Sequence, residues 1–264
     1  MKTTGFVYAC SHDGWLEEAI RSALSVKNVM PDVERELYIT ENLVPTNKTI
    51  LESAFTKLVP LQRVSFPHRP RFDACLMTNL DRPIFIDGDT FVMEPVYELF
   101  QTLDDFDIAL CIDPQLHHPK AIDSNLHSFL PSVSMAIPEF NAGLIVANNT
   151  EKFRALIKSW MQLFKFCLTR QYAMDQVALR VALAKSDLRI ATLPNNYNFK
   201  ANVIQAAAKL VKILHCHGDL EGISKVINQQ RTIRGYEPGP LVHGLKPLKA
   251  MRSATSSPPL VTTG

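Results

Sequence analysis

One stretch restricts this chain more than any other: Ile84-Phe85-Ile86-Asp87-Gly88-Asp89-Thr90-Phe91-Val92. Branched and aromatic residues in such a run form a buried strand. A buried strand that ends in two carboxylates is costly unless a cation meets them. Side chains alternate across a strand, so residues two apart point the same way. Asp87 and Asp89 therefore converge on one hard cation, or one binds it directly and the other through water. Gly88 leaves room for a phosphate or sugar to approach the backbone. Oxygen ligands together with a diphosphate suit Mn²⁺ or Mg²⁺. Asp-x-Asp alone recurs in surface turns, and the strand before it gives the motif its weight.

The flanking chain alternates strand and helix patterns, as α/β folds do. Phe6–Cys10 reads as an opening strand, Ser11-His12-Asp13-Gly14 as a capping turn, and Trp15–Val26 as a helix. Glu36–Thr40 reads as a strand, Ile50–Leu58 as a helix and Arg63–Phe66 as a third strand. After His68-Arg69-Pro70-Arg71-Phe72-Asp73-Ala74 a helix continues from Cys75 to Leu80. Two arginines just ahead of the acidic strand can neutralise a diphosphate, Arg71 being better placed at the helix start. A short helix at 94–100 and a strand at 107–112 follow. From Gln115 to Pro138 the pattern is irregular, with His117, His118 and His127, as in a binding loop or lid. Adjacent histidines rarely chelate together, so His117 and His118 are read as loop residues.

Three later stretches carry polar groups beside strands. Asn141-Ala142-Gly143 precedes the apolar run 144–147, with small side chains for close backbone approach and an amide that offers donor and acceptor. The helix 150–169 places Phe153, Leu156, Ile157, Trp160, Leu163 and Phe164 on one face, a core stripe. Asp175-Gln176 opens a further helix, where the helix dipole favours an acid. The strand 189–194 runs into the amide-rich Asn195-Asn196-Tyr197-Asn198-Phe199, suited to hydroxyls. A last strand, Lys212–Leu214, emerges into His215-Cys216-His217-Gly218, making His215 a third metal ligand beside the two acids.

Several function classes drop out. A net charge of +2 gives no bulk electrostatic reason for nucleic-acid binding. Five scattered cysteines without a Cys-x-x-Cys pair point to reduced, buried thiols rather than a disulfide framework or zinc site. No run reaches the roughly 20 apolar residues of a membrane span, and no signal core is present. The expectation is a soluble cytoplasmic protein. Neither a Gly-x-Gly-x-x-Gly fingerprint nor a P-loop occurs. Residues 1–230 read as one domain and 231–264 as an extension, ending in a disordered Ser/Thr/Pro tail at 253–264. Lys246, Lys249 and Arg252 in it read as solvated charges.

In the order of its blocks the sequence resembles the GT-A nucleotide-sugar glycosyltransferases, closest to the glycogenin-like and lipopolysaccharide-galactosyltransferase-like family 8 group. The blocks are the opening strand, Arg71-Phe72-Asp73-Ala74 leading to Asp87-Gly88-Asp89, Phe140-Asn141-Ala142-Gly143, Asp175-Gln176 and Leu214-His215-Cys216-His217-Gly218. The resemblance implies a Rossmann-like, mixed and mainly parallel sheet flanked by helices. It implies transfer of a sugar from a nucleoside-diphosphate sugar, of the UDP-sugar type, to an acceptor hydroxyl on a saccharide, lipid-linked sugar or small molecule, with retention. Asp87, Asp89 and His215 would hold Mn²⁺ or Mg²⁺, with Asp87 also near the ribose. Tyr8, Ala9 and Ser11 would border the nucleobase, with Arg71, Gly88, Ala142 and Gly218 among the donor-binding residues. Asn141, Asp175 and Gln176 would lie at the reacting sugar. Where the family carries a lysine three residues after Gly218 this chain has Glu221, and Lys225 or Lys200 would have to supply that cation. The alternatives are a degenerate nucleotide-sugar binder without turnover and a haloacid-dehalogenase-type phosphatase. The latter needs Thr or Val where Phe91 stands, and places its motif on the first strand.

Overall fold

The computed structural model describes residues 2–43, 48–117, 130–207, 209–229, 234–236 and 238. In chain order the elements are β1 (Thr4–Cys10), α1 (Asp13–Val29), β2 (Glu34–Thr40), α2 (Lys48–Ala54), β3 (Lys57–Leu61) and α3 (Arg71–Met77). Next come β4 (Arg82–Ile86), β5 (Thr90–Val92), α4 (Tyr97–Thr102), β6 (Ile108–Ile112), β7 (Phe140–Ala147), α5 (Glu151–Thr169) and α6 (Gln176–Ala184). The chain continues through β8 (Ile190–Leu193), β9 (Phe199–Lys200), β10 (Gln205–Ala207), β11 (Ile213–His215), α7 (Leu220–Ile227) and β12 (Arg234–Tyr236).

Seven strands form the main sheet in the order β3-β2-β1-β4-β7-β6-β8. Only β7 runs against the others, since its pairings with β4 and β6 are antiparallel and the remaining pairings parallel. The expected mixed, mainly parallel sheet is therefore present. Its strands are apolar on both faces because helices cover both. Phe6, Tyr8, Cys10, Ile84 and Ile86 point toward α1, α2 and α4. Val7, Phe85, Leu110 and Ile145 point toward α3, α5 and α6. The stripe on α5 buries Phe153, Leu156, Ile157, Trp160 and Phe164, and Thr150 caps the helix by accepting from the Phe153 N–H. Trp160 meets the Phe72 ring edge-on at 4.7 Å and donates its indole N–H to the Asp175 carbonyl.

A small second sheet, β5-β11-β9, packs with α7 around Phe199, Leu214 and Leu220. The tripeptide Asp87-Gly88-Asp89 is the joint between the two sheets, for β4 ends before it and β5 begins after it.

Four local readings are corrected. The third strand is Lys57–Leu61 and not Arg63–Phe66, and the helix before it stops at Ala54 and not Leu58. The Thr56 N–H leaves the helix to bond the Arg35 carbonyl, so pairing with β2 overrides the local helical spacing. Pro60 is tolerated because β3 lies at the sheet edge. The helix at Arg71 ends at Met77 rather than Leu80, where Thr78 turns extended and its hydroxyl bonds the buried Glu36 carboxylate. Within the turn-rich stretch after Gln230, residues 234–236 form a strand paired with β10, held as the Tyr236 ring packs on Phe199. His118, His127, the three basic residues near the C-terminus and the tail at 253–264 lie outside the described residues.

Truncation of the fully buried Trp160 to alanine is expected to cost about 3–5 kcal/mol, read as a lower urea midpoint with an unchanged slope.

Candidate active site

A cleft of about 380 Å³ opens at the carboxyl ends of β1 and β4, bounded by α1, α3, the start of β7, the start of α6 and β11. This is where ligands bind in open α/β sheets. The Asp87 N–H is held by the Gly143 carbonyl of β7, and the Asp89 carbonyl by the Cys216 N–H after β11. The Thr90 hydroxyl donates back to the Asp87 carbonyl and meets Ser22 of α1 at 2.7 Å. The acidic joint is thus fastened to both sheets and to α1.

Its charges converge as the sequence implied. Asp87, Asp89 and the buried His215 each offer a ligand atom, all within 4.8 Å of one another. His215 Nε2 lies 3.4 Å from Asp89 Oδ1 and 3.8 Å from Asp87 Oδ2. Cis ligands of a six-coordinate ion with bonds of about 2.1 Å stand about 3 Å apart, so modest side-chain adjustment closes the set around one. Two carboxylates and an imidazole fit a divalent metal ion in kind as well as in spacing. Burial alone would raise the Asp89 carboxyl, but His215 and then His217 hold it well below the usual carboxylate range. Burial alone would lower His215, and the Coulombic pull of Asp89 reverses this, leaving the imidazole above its ordinary value.

Arg71, at the first turn of α3, donates from Nη2 to Asp87 Oδ1 at 2.5 Å and from Nη1 to the Ala142 carbonyl at 2.9 Å. Burial works against its charge, but Asp87 and Asp175 more than offset that, so the guanidinium stays protonated. Asp175 precedes α6 at the N-cap position but makes no side-chain cap bond to it. Its carboxylate instead approaches Arg69 Nε at 3.7 Å and Arg71 Nε at 3.9 Å in the cleft. Asn141, Ala142 and Gln176 also line the cleft.

Other expected residues sit differently. The Tyr8 side chain is fully buried on the α1 face of the sheet, its hydroxyl 3.2 Å from Ser22, because the alternation that sends Ala9 into the cleft sends Tyr8 away. Ser11 and Gly218 lie outside the cleft lining; Gly218 has φ 122° and its carbonyl accepts from Arg21. Gly88 does line the cleft, and a Cβ there would meet Ala19 of α1 at 3.1–3.2 Å, so the close helix packing favours glycine. Of the candidate replacement cations, Lys200 lines the cleft, whereas Lys225 and Glu221 face a separate hollow beside α1.

Several residues join the site that the sequence left without a role. Asp113 follows β6 and accepts through Oδ2 from Asn141, Gln176 and Lys200 at 2.8–3.1 Å. Burial opposes its charge, but Lys200 and these amides hold its carboxyl below the ordinary range. An apolar run ending in an acid was its signal, the same one that marks Asp87, obscured by the turn-forming Pro114. Trp15, His68 and Glu18 line the far rim, with the Trp15 and His68 rings 5.8 Å apart. His217 bonds Glu18 at 3.0 Å, which pushes its pKa up to about 9.

No protein-family model matches the chain, and no curated protein does either. Solved structures do. Mouse xyloside xylosyltransferase 1 in its apo form aligns with a TM-score of 0.56 at 13% identity, covering 81% of this chain and 98% of its own. The galactosyltransferase LgtC in complex with donor and acceptor sugar analogues aligns with a TM-score of 0.55 at 15% identity, covering 81% and 87%. The glycosyltransferase GlyE of Streptococcus pneumoniae TIGR4 aligns with a TM-score of 0.56 at 16% identity, covering 86% of this chain and 61% of its own. What is shared at these identities is the fold, that of GT-A glycosyltransferases.

Gly143 yields a sharp expectation. A Cβ there would stand 2.2 Å from His215 Cε1 and 2.7 Å from Nδ1. Gly143→Ala is therefore expected to displace the imidazole and weaken Mn²⁺ binding about 10–100-fold, measured by calorimetry on a variant that still folds. Asp113 yields a pH dependence. Its folded pKa is lowered, so its contribution is complete above the ordinary value of about 3.9 and lost as pH falls through the folded value. Asp113→Ala is expected to cost about 1–3 kcal/mol at neutral pH and to lose less stability than the parent on acidification, measured by melting temperature against pH.

Proposed function

We propose that this chain is a glycosyltransferase that uses Mn²⁺ or Mg²⁺ to move a sugar from a nucleoside-diphosphate sugar, of the UDP-sugar class, to an acceptor hydroxyl with retention of configuration. The observation that carries this reading is the convergence of Asp87, Asp89, His215 and Arg71 at the mouth of a cleft in a GT-A fold. Likeness to a xylosyltransferase, and to a galactosyltransferase bound to donor and acceptor sugar analogues, supports a sugar donor and a sugar acceptor.

Asp87, Asp89 and His215 would hold the divalent ion, whose chemistry is to neutralise the charge that develops on the departing diphosphate. Arg71 is held by Asp87 and the Ala142 carbonyl, so its cation is fixed beside the metal-binding acids, where it would add to the charge neutralising the leaving group. Lys200 brings a further cation into the cleft, beside Arg69 and Arg71. Asn141, Asp175 and Gln176 line the inner wall. Each is almost fully buried and polar, suited to orienting donor-sugar hydroxyls and to carrying the positive character of the anomeric carbon. The acceptor is a saccharide, a lipid-linked sugar or a small hydroxyl compound. Five buried, unpaired cysteines agree with a reducing cytoplasm. Among the described residues no helix is long and apolar enough to cross a membrane. Residues 1–230 carry the transferase unit and 231–264 an extension to it.

A thermal-shift screen of UDP- and GDP-sugars, with and without Mn²⁺, is expected to single out one donor. At a hundredfold excess over Kd the stabilisation is about 2.7 kcal/mol. That donor should be hydrolysed slowly in the presence of Mn²⁺. Asp89→Asn should lower the rate about 10²–10³-fold, the equivalent of several kcal/mol of lost charge stabilisation. Stabilisation without any turnover would leave a nucleotide-sugar binder instead, and no metal-dependent binding would sink the reading.

A further inference from the structure

We propose that Asn198 is a positioning residue for the metal centre, locking His215 as its Nδ1–H tautomer so that the Nε2 lone pair faces Asp87 and Asp89. The inference rests on the metal reading above and adds how this chain prepares its histidine. The chain of bonds begins at Asp113, a carboxylate that only accepts. Its Oδ2 lies 2.9 Å from Asn141 Nδ2, so the Asn141 amide presents its NH₂ group there. The Gly143 backbone N–H donates to Asn141 Oδ1 at 2.9 Å, which demands the same orientation. With both ends in agreement, the Asn141 amide has one way to face.

Asn141 Oδ1 therefore stands as an acceptor toward Asn198, whose Nδ2 donates to it at 2.9 Å. That leaves Asn198 Oδ1, a carbonyl oxygen without a proton, 2.8 Å from His215 Nδ1. The hydrogen between them belongs to the ring nitrogen. A neutral imidazole carries one N–H, so its free lone pair is on Nε2, the atom 3.4 and 3.8 Å from the two aspartates. The opposite tautomer would aim an N–H at the ion and set two acceptors against each other at Asn198.

The backbone keeps the relay in place. Asn198 is 3% exposed and directly precedes β9, which pairs in parallel with β11 so that Lys200 lies beside His215. The Ala201 N–H bonds the His215 carbonyl, and the Lys212 N–H bonds the Asn196 carbonyl, bracketing the asparagine on both sides. The imidazole rests against Gly143, the only residue type that fits there.

The test reads tautomer and metal binding separately. Nitrogen-15 NMR of histidine-labelled, ion-free protein at alkaline pH, with His215→Gln to assign the signals, should give Nδ1–H for His215. Mn²⁺ binding in the presence of UDP is followed by the electron spin resonance of the free ion. Asn198→Ala should lose the tautomer preference and bind Mn²⁺ about 10–100-fold more weakly. Asn198→Asp keeps an acceptor for Nδ1–H and should retain the tautomer, but its second carboxylate oxygen faces Asn141 Oδ1 where the amide donated, so its affinity is expected to fall below the parent's. Melting curves confirm that both variants are folded. An Nε2–H signal in the parent, unchanged tautomer and affinity in Asn198→Ala, or loss of the tautomer preference in Asn198→Asp would each overturn the proposal. Absence of Mn²⁺ binding by the parent overturns the metal reading instead; the tautomer, measured without the ion, still decides what Asn198 does.

Discussion

Two carboxylates held where β4 leaves the main sheet are a concentration of negative charge that the rest of the molecule is arranged to answer. Asp87 and Asp89 lie on a three-residue joint, clamped by backbone bonds to β7 on one side and to the residue after β11 on the other. Like charges so close raise the energy of the folded chain unless cations are brought to them. Arg71 comes from α3 and His215 from the second sheet, elements 16 and more than a hundred residues away along the chain. The small sheet thereby has a clear role, since pairing of β11 with β5 puts His215 opposite Thr90, one residue beyond Asp89.

The polar wall behind the metal cluster is continuous. Asp113 gathers Asn141, Gln176 and Lys200, and Asn141 passes the order on through Asn198 to His215. Groups read as sugar-facing and groups read as metal-facing therefore belong to one hydrogen-bonded set, in which each amide has its direction dictated by a neighbour. A buried set of this kind, fully paired, holds its members rigidly and in one arrangement. Two glycines make the geometry possible for reasons of contact alone. Gly88 lets the joint touch α1, and Gly143 makes room for an imidazole.

The alternation of strand and helix, the acidic ending of β4, the late histidine and the arginine ahead of them were all legible as local patterns. Each depends on neighbours within a few residues, where periodicity and composition speak directly. The misplacement of β3 came from the same reliance on local spacing. Leu51, Ala54 and Leu58 repeat with helical period, yet the chain turns out at Thr56 because β2 offers it a partner. Tyr8 failed as a cleft residue for an equally plain reason. Strand alternation tells that Tyr8 and Ala9 face opposite ways, but which face becomes the ligand side depends on where α1 packs.

By itself, then, the sequence determined a layered α/β chain with paired acids at the end of a central strand, because those features follow from periodicity and from the cost of burying charge. Only the tertiary structure decided that Asp113 and Asn198 belong to that site, that Lys200 and not Lys225 enters the cleft, and that the two glycines serve helix and imidazole. The physical reason is that a hydrogen bond is made at about 3 Å between groups whose separation along the chain carries no trace of that closeness. Asp113 and Lys200 are 87 residues apart and meet across 3.1 Å.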